Sequence, residues 1–185
     1  MKIKYAIIFY FFLQVGFSQM NNGIATYDVK TNFTFKNVVK EKEKILLKEI
    51  FKNSEEDQKA KCELIFNNHE SIFHGINFLS KNETKIDLSN IQAKIIGSIY
   101  VNLKTKERIQ KTEEFGELFL INSSIDSYKW KLTNEKVKLG KYTCYKAILI
   151  HKKKMINETI AWYTPDIPIN IGPLGYAGLP GFIVM

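Results

Sequence analysis

Apolar and polar positions alternate with a period of two along most of the chain, and that alternation predicts a β protein. Ile24 to Val29 reads as a first strand, continued through Phe33 and Phe35. Cys62, Leu64 and Phe66 alternate with polar neighbours, Asn67-Asn68 supplies a turn, and Ser71 to His74 returns as the second arm of a hairpin. Ser98 to Leu103 and Glu107 to Lys111 flank a Lys104-Thr105-Lys106 turn; Glu117 to Ile121, Trp130 to Lys136, Tyr142 to Ile150 and Glu158 to Tyr163 complete the series. The links are Gly140-Lys141 and the basic turn Lys152 to Lys154, while Gly75 to Lys94 reads as a connection. One stretch changes period: Val38, Val39, Lys42, Leu46 and Ile50 form a stripe at helical spacing, so Val38 to Phe51 predicts a helix packed on the sheet. The expected fold is mainly β, one curved antiparallel meander with one covering helix.

The two ends depart from this pattern. Lys2 and Lys4 precede an apolar run from Tyr5 to Leu13, and Gly16, Phe17 and Ser18 provide a small-residue cleavage site. That is the layout of a secretory signal peptide, residues 1–18, leaving residues 19–185 as one domain. The apolar run is shorter than the roughly 20 residues a membrane helix needs, and no later segment is apolar enough to span a membrane. Export places the protein in the periplasm, on the outer-membrane surface or outside the cell. At the other end all four prolines and four of the ten glycines fall between positions 165 and 181. Pro165 and Pro168 forbid helix and predict an extended path at a sheet edge or across the sheet. Gly172-Pro173, Gly175, Gly178 and Pro180-Gly181 favour turns, with Pro180-Gly181 suited to the centre of a type II turn.

Composition narrows the function classes. The formal charge of +8 becomes +6 when Lys2 and Lys4 leave, and the lysines are interleaved with glutamates, as on a solvated surface. No array of stacking aromatics accompanies them, so nucleic acid is not the expected partner. Cys62 and Cys144 leave two readings open: one disulfide closing a long loop in an oxidising compartment, or two separate buried thiols. His69 and His74 flank Glu70, yet their spacing sets them on opposite faces of a strand and argues against zinc. His151 opens the basic turn and reads as solvated. The glycine-rich tail lacks the lysine, the Ser/Thr ending and the helix of a phosphate-binding loop. Neither a catalytic constellation nor a cofactor or metal site is expected. The Asn-x-Ser/Thr triplets at Asn32, Asn82, Asn122 and Asn157 read as coincidence.

Four ordered segments carry a family resemblance: Gly23-Ile24-Ala25-Thr26-Tyr27; Trp130-Lys131-Leu132 leading to Lys141-Tyr142-Thr143-Cys144-Tyr145-Lys146-Ala147; Ala161-Trp162-Tyr163-Thr164-Pro165-Asp166-Ile167-Pro168; and Gly172-Pro173 followed by Gly178-Leu179-Pro180-Gly181-Phe182-Ile183. Together they resemble the GLPGLI proteins, exported proteins characteristic of the Bacteroidota with no agreed activity. Lys141 replaces a glycine of the pattern, and Phe182 replaces its leucine. The family is in turn distantly similar to the bowl-like N-terminal, non-catalytic domain of some exported peptide N-glycanases. Members usually continue into further strands, so Leu179 to Met185 reads as the lead-in to strands beyond a fragment's end.

The functional expectation is non-enzymatic binding of an envelope protein partner or an apolar ligand, held in the concavity of a sheet built from Ser98 to Tyr163. The alternative is an accessory glycan-binding domain that uses Trp162, Tyr163 and Asp166, where a carboxylate lies beside two stacking rings. Asp166 also suits a purely local role, anchoring the turn through backbone hydrogen bonds.

Overall fold

The computed structural model describes residues 22–30, 59–76, 94, 96–114, 116–151 and 158–185. The expected signal peptide, the Val38 to Phe51 helix and the Lys152 to Lys154 turn lie outside these residues. Among the described residues, ten antiparallel strands form two sheets. The first holds β1 (Asn22–Lys30), β2 (Lys59–Asn67), β3 (Glu70–Gly75), β4 (Ser98–Asn102), β5 (Glu107–Glu114) and β6 (Glu117–Ser124), side by side in chain order. The second holds β7 (Trp130–Leu139), β8 (Tyr142–Leu149), β9 (Ile160–Thr164) and β10 (Phe182–Ile183), again neighbours in chain order. The meander is therefore real but divided into two sheets instead of one. The break is the 3-10 turn Ile125–Ser127, where the Ser124 side chain caps Asp126 N–H and Ile125 drops into the core.

Register explains the burial. One row crosses the first sheet through Ala25, Leu64, Phe73, Ile99, Gln110 and Ile121, and a parallel row runs through Phe66, Ser71, Val101, Arg108 and Ser123. Leu64, Phe73, Ile99 and Val101 are almost wholly buried. On β5 the same face then turns polar, presenting Arg108, Gln110 and the buried Thr112. β6, at the sheet edge, is exposed along its whole length.

The proline- and glycine-rich tail joins the two cores. It gives five of the thirteen residues of the larger core (Ile167, Ile169, Ile171, Ala177, Phe182) and two of the five of the smaller one (Leu179, Ile183), which makes it scaffold. Its path differs from the expected type II turn. Gly181 N–H donates to Leu179 O at 2.8 Å and Ile169 N–H to Ile167 O at 2.9 Å, three-residue turns centred on Pro180 and Pro168. The proline ring fixes φ close to the value such a turn needs. Gly181 must then take φ +149°, and a Cβ there would collide with the Thr164 carbonyl. Thr164 ends β9, Pro165 and Asp166 turn, and the chain runs on to Ile171, whose carbonyl accepts from Ile183 N–H. β10 is thus bonded to β9 on one side and to the 167–171 segment on the other. Tyr27 Oη donates to Ile183 O at 2.7 Å and ties the first described strand to the last.

Candidate functional site

Where the sheets diverge, the polar face of β5 opens into a cleft of about 550 Å³. It is lined by Ile96 and Ile99, by Arg108 and Gln110 of β5, and by Leu149, Ile150 and His151 at the end of β8. Ser127 and Tyr128 close one end, and the 172–178 loop, through Leu174 and Tyr176, forms the rim. The volume and the mix of apolar walls with a few polar groups suit a small ligand.

The loop is held in an unusual conformation. Leu174 sits in the left-handed region at φ 56° and ψ 18°, a conformation that costs a branched residue about 1 kcal/mol or more. Gly175 follows at φ +73°, and a Cβ there would lie 2.7 Å from both Arg108 Nε and Ile99 Cγ2. Contacts on both sides impose this shape. Arg108 Nη2 donates to Leu174 O at 3.3 Å and to Gln110 Oε1 at 3.0 Å. Trp130 Nε1 donates to Ala177 O at 2.9 Å, and the Tyr176 ring packs against Tyr128 and Trp130 with centroids 5.2 and 5.9 Å away.

Arg108 is the chain's only arginine among 27 lysine and arginine residues. Among the described residues it forms no ion pair, and its buried Nε–H finds no acceptor. Burial pushes the Tyr128 phenol above its ordinary value, against an opposing pull from the Arg108 charge. Tyr128 therefore remains a neutral hydroxyl at physiological pH. His151, expected in solvent, lines the cleft, with its Nε2 3.1 Å from Thr159 Oγ1.

The residues singled out in the sequence are not gathered here. Trp162 and Tyr163 point to opposite faces of β9: Trp162 is half-buried opposite Lys146, whereas Tyr163 is buried against Tyr145 at 6.0 Å. Asp166 is exposed, and its Oδ2 accepts from Thr143 N–H at 3.4 Å, a local anchor between the turn and β8. Pro165, Pro168 and Pro180 are exposed, Leu179 and Gly181 are buried, and Gly178 is an exposed turn residue at φ +89°. Gly172 is extended and packed on Ile183, and Pro173 opens the cleft's loop. The disulfide is not formed: Cys62 on β2 and Cys144 on β8 are both free, buried thiols in different sheets. Cys62 lies in the larger core between Tyr27 and Gly75, where a small apolar side chain suffices.

Two other depressions are present. One, about 420 Å³, lies at the hairpin ends around Glu70, Asn102 and Lys104. Tyr100 Oη donates to Glu70 Oε1 at 2.7 Å, with Asn102 Nδ2 3.3 Å from the same oxygen, and Asn67 Nδ2 donates to Oε2 at 3.4 Å; the bonds from Tyr100 and Asn67 hold Glu70 below its ordinary value. Its polar groups thus already satisfy one another. The other, about 270 Å³, is an apolar groove between β1 and Phe182.

The class that emerges is a two-sheet antiparallel β domain with an arginine-bearing cleft beneath a proline- and glycine-rich loop. A family model described as "Protein of unknown function (Porph_ging)" matches residues 150–185, which include Ile150, His151, Leu174 and Tyr176 of the cleft and exclude Arg108. No curated protein matches the chain. A solved structure of PNGF-II in space group C2 is similar at 20% identity and a TM-score of 0.44, over 64% of this chain and 21% of that one. The chain thus corresponds to about a fifth of PNGF-II. Among the described residues no helix is long and apolar enough to cross a membrane.

Proposed function

We propose that this protein is an exported, GLPGLI-type domain of the cell envelope that binds a small, largely apolar ligand in the cleft between its sheets, without transforming it. The observation that supports the reading most directly is the cleft itself: about 550 Å³, lined by seven apolar or aromatic side chains, among them residues of both sheets and of the loop. Export rests on the layout of residues 1–18. The family name rests on the four motifs, the last two of which fall within the matched residues 150–185. Among the described residues lining the cleft there is no carboxylate or thiol, its imidazole, His151, lies 3.1 Å from the Thr159 hydroxyl, and Tyr128 is a neutral phenol; these groups are suited to positioning a ligand.

The test is binding of a neutral apolar dye such as Nile red by the purified protein, together with mass spectrometry of solvent extracts after native purification. Ile150 lies on the rim and is 57% exposed, so Ile150→Glu introduces a charge into the cleft with little cost to folding. A tenfold or greater loss of dye affinity is expected. Dye binding that ignores this substitution would sink the proposal.

A further inference from the structure

Resting on that reading, we infer that the ligand carries a single carboxylate and that Arg108 is the residue that receives it. Three features of β5 converge. Inward-facing positions of a sheet are ordinarily apolar, and the row that holds Arg108 runs through the buried Phe66, Ser71 and Val101, its direct partner on β4, before reaching the exposed Ser123 on the edge strand. Arg108 instead occupies a core-facing position while the apolar Ile109 faces the other way. Such a reversal breaks a local rule at a place where only a compensating partner makes it stable.

The second feature is electrostatic. A guanidinium is always charged and offers five N–H donors. Here Nη2 is engaged by Gln110 and Leu174, and Nε is buried without an acceptor. Neither acceptor supplies a negative charge, and no described carboxylate pairs with Arg108. Among the described residues lining the cleft, the only other basic side chain is His151. A single fixed positive charge matches a monoanion. A phosphate would call on several cations or a row of backbone N–H groups, and the cleft has neither.

The third feature is the loop. Gly175 packs on Arg108 Nε, and the Leu174 carbonyl accepts from Nη2, so the side chain is fixed before any ligand arrives. A preset guanidinium loses little freedom on binding, which favours affinity. The apolar residues Ile96, Ile99, Leu149 and Ile150 then face the remainder of the ligand. The ligand class is an amphipathic acid with an apolar body of medium length.

The experiment compares decanoate with decanol, matched in chain and differing in head group, by displacement of Nile red at pH 7.5. Decanoate is expected to bind at least tenfold more tightly than decanol to the unaltered protein. That preference should vanish below about pH 4, where the carboxylate is protonated. Arg108→Gln should bring the ratio to about one, and Arg108→Lys should restore part of the preference. Equal binding of acid and alcohol by the unaltered protein, with Nile red bound, overturns the inference and leaves the apolar-ligand reading intact. Binding of none of the three removes both. The head-group comparison on the unaltered protein decides the matter even where Arg108→Gln fails to fold.

Discussion

Gly175→Ala and Gly178→Ala form a matched pair that isolates the contact between the 172–178 loop and Arg108. Both glycines have positive φ, +73° and +89°. Alanine in this region costs about 1–2 kcal/mol, and the loss of unfolded-state freedom returns about 0.4–1. That is the whole effect expected at Gly178, where an added Cβ meets nothing within 4 Å. At Gly175 the Cβ also lies 2.7 Å from Arg108 Nε and from Ile99 Cγ2. Ile99 is 2% exposed and cannot retreat, so overpacking adds about 1–3 kcal/mol. The gap between the variants, not either value alone, carries the argument. In a domain of this size it corresponds to about 2–12 °C in Tm, read by circular dichroism melts and checked by urea unfolding. Equal destabilisation of the two variants would refute the packing of the loop on Arg108, and with it the fixed guanidinium.

Trp130→Phe leaves the Ala177 carbonyl without its donor and should cost about 1–3 kcal/mol in urea unfolding, mostly hydrogen-bond loss because the ring contact with Tyr176 survives. Tyr27→Phe removes the 2.7 Å bond to Ile183 O and is expected to cost about 1 kcal/mol; an unchanged unfolding midpoint would argue against that tie. With two free buried thiols, Ellman's reagent should find none in the native protein and two in denaturant without reductant, whereas a count of zero in denaturant would establish a disulfide. Burial pushes the Cys62 thiol from its ordinary 9.0 up to about 11. The fold favours the neutral thiol, so this contribution is complete below pH 9 and lost as pH rises through about 11. Cys62→Ala should flatten that part of the pH–stability curve.

Much of the fold was legible because its strands alternate cleanly. Cys62, Leu64 and Phe66 point inward as their pattern predicts, and the Asn67-Asn68 turn is where the hairpin reverses. The division into two sheets was not legible. It depends on Ile125 turning into the core at a three-residue 3-10 turn, too short to leave a periodic signal. The tail's scaffold role could be read from its prolines, but its turn type could not, since a type II turn and a γ-turn share the Pro-Gly pair. The site was hardest to see. Arg108 lies in a polar strand where alternation alone assigns Ile109 to the core. The one available signal was its being the sole arginine. His151 looked solvated because it adjoins three lysines, and only the end of β8 brings it to the cleft.

The tail and the cleft are one mechanical unit, and this couples stability to binding. Ile167, Ile169, Ile171 and Phe182 fix the segment in the larger core, Leu179 and Ile183 fix it in the smaller one, and the loop between them shapes the cleft rim. The αL conformation of Leu174 costs free energy that a relaxed loop would not incur. It persists because Arg108 and Trp130 hold carbonyls at either side of it. A ligand that engages Arg108 strengthens one of those two restraints. It should therefore raise Tm by the amount its affinity dictates, and more steeply in Trp130→Phe if loss of the other restraint makes Arg108 the remaining anchor. A ligand seated elsewhere, in the apolar groove beside β1, would stabilise both proteins to the same extent at equal saturation.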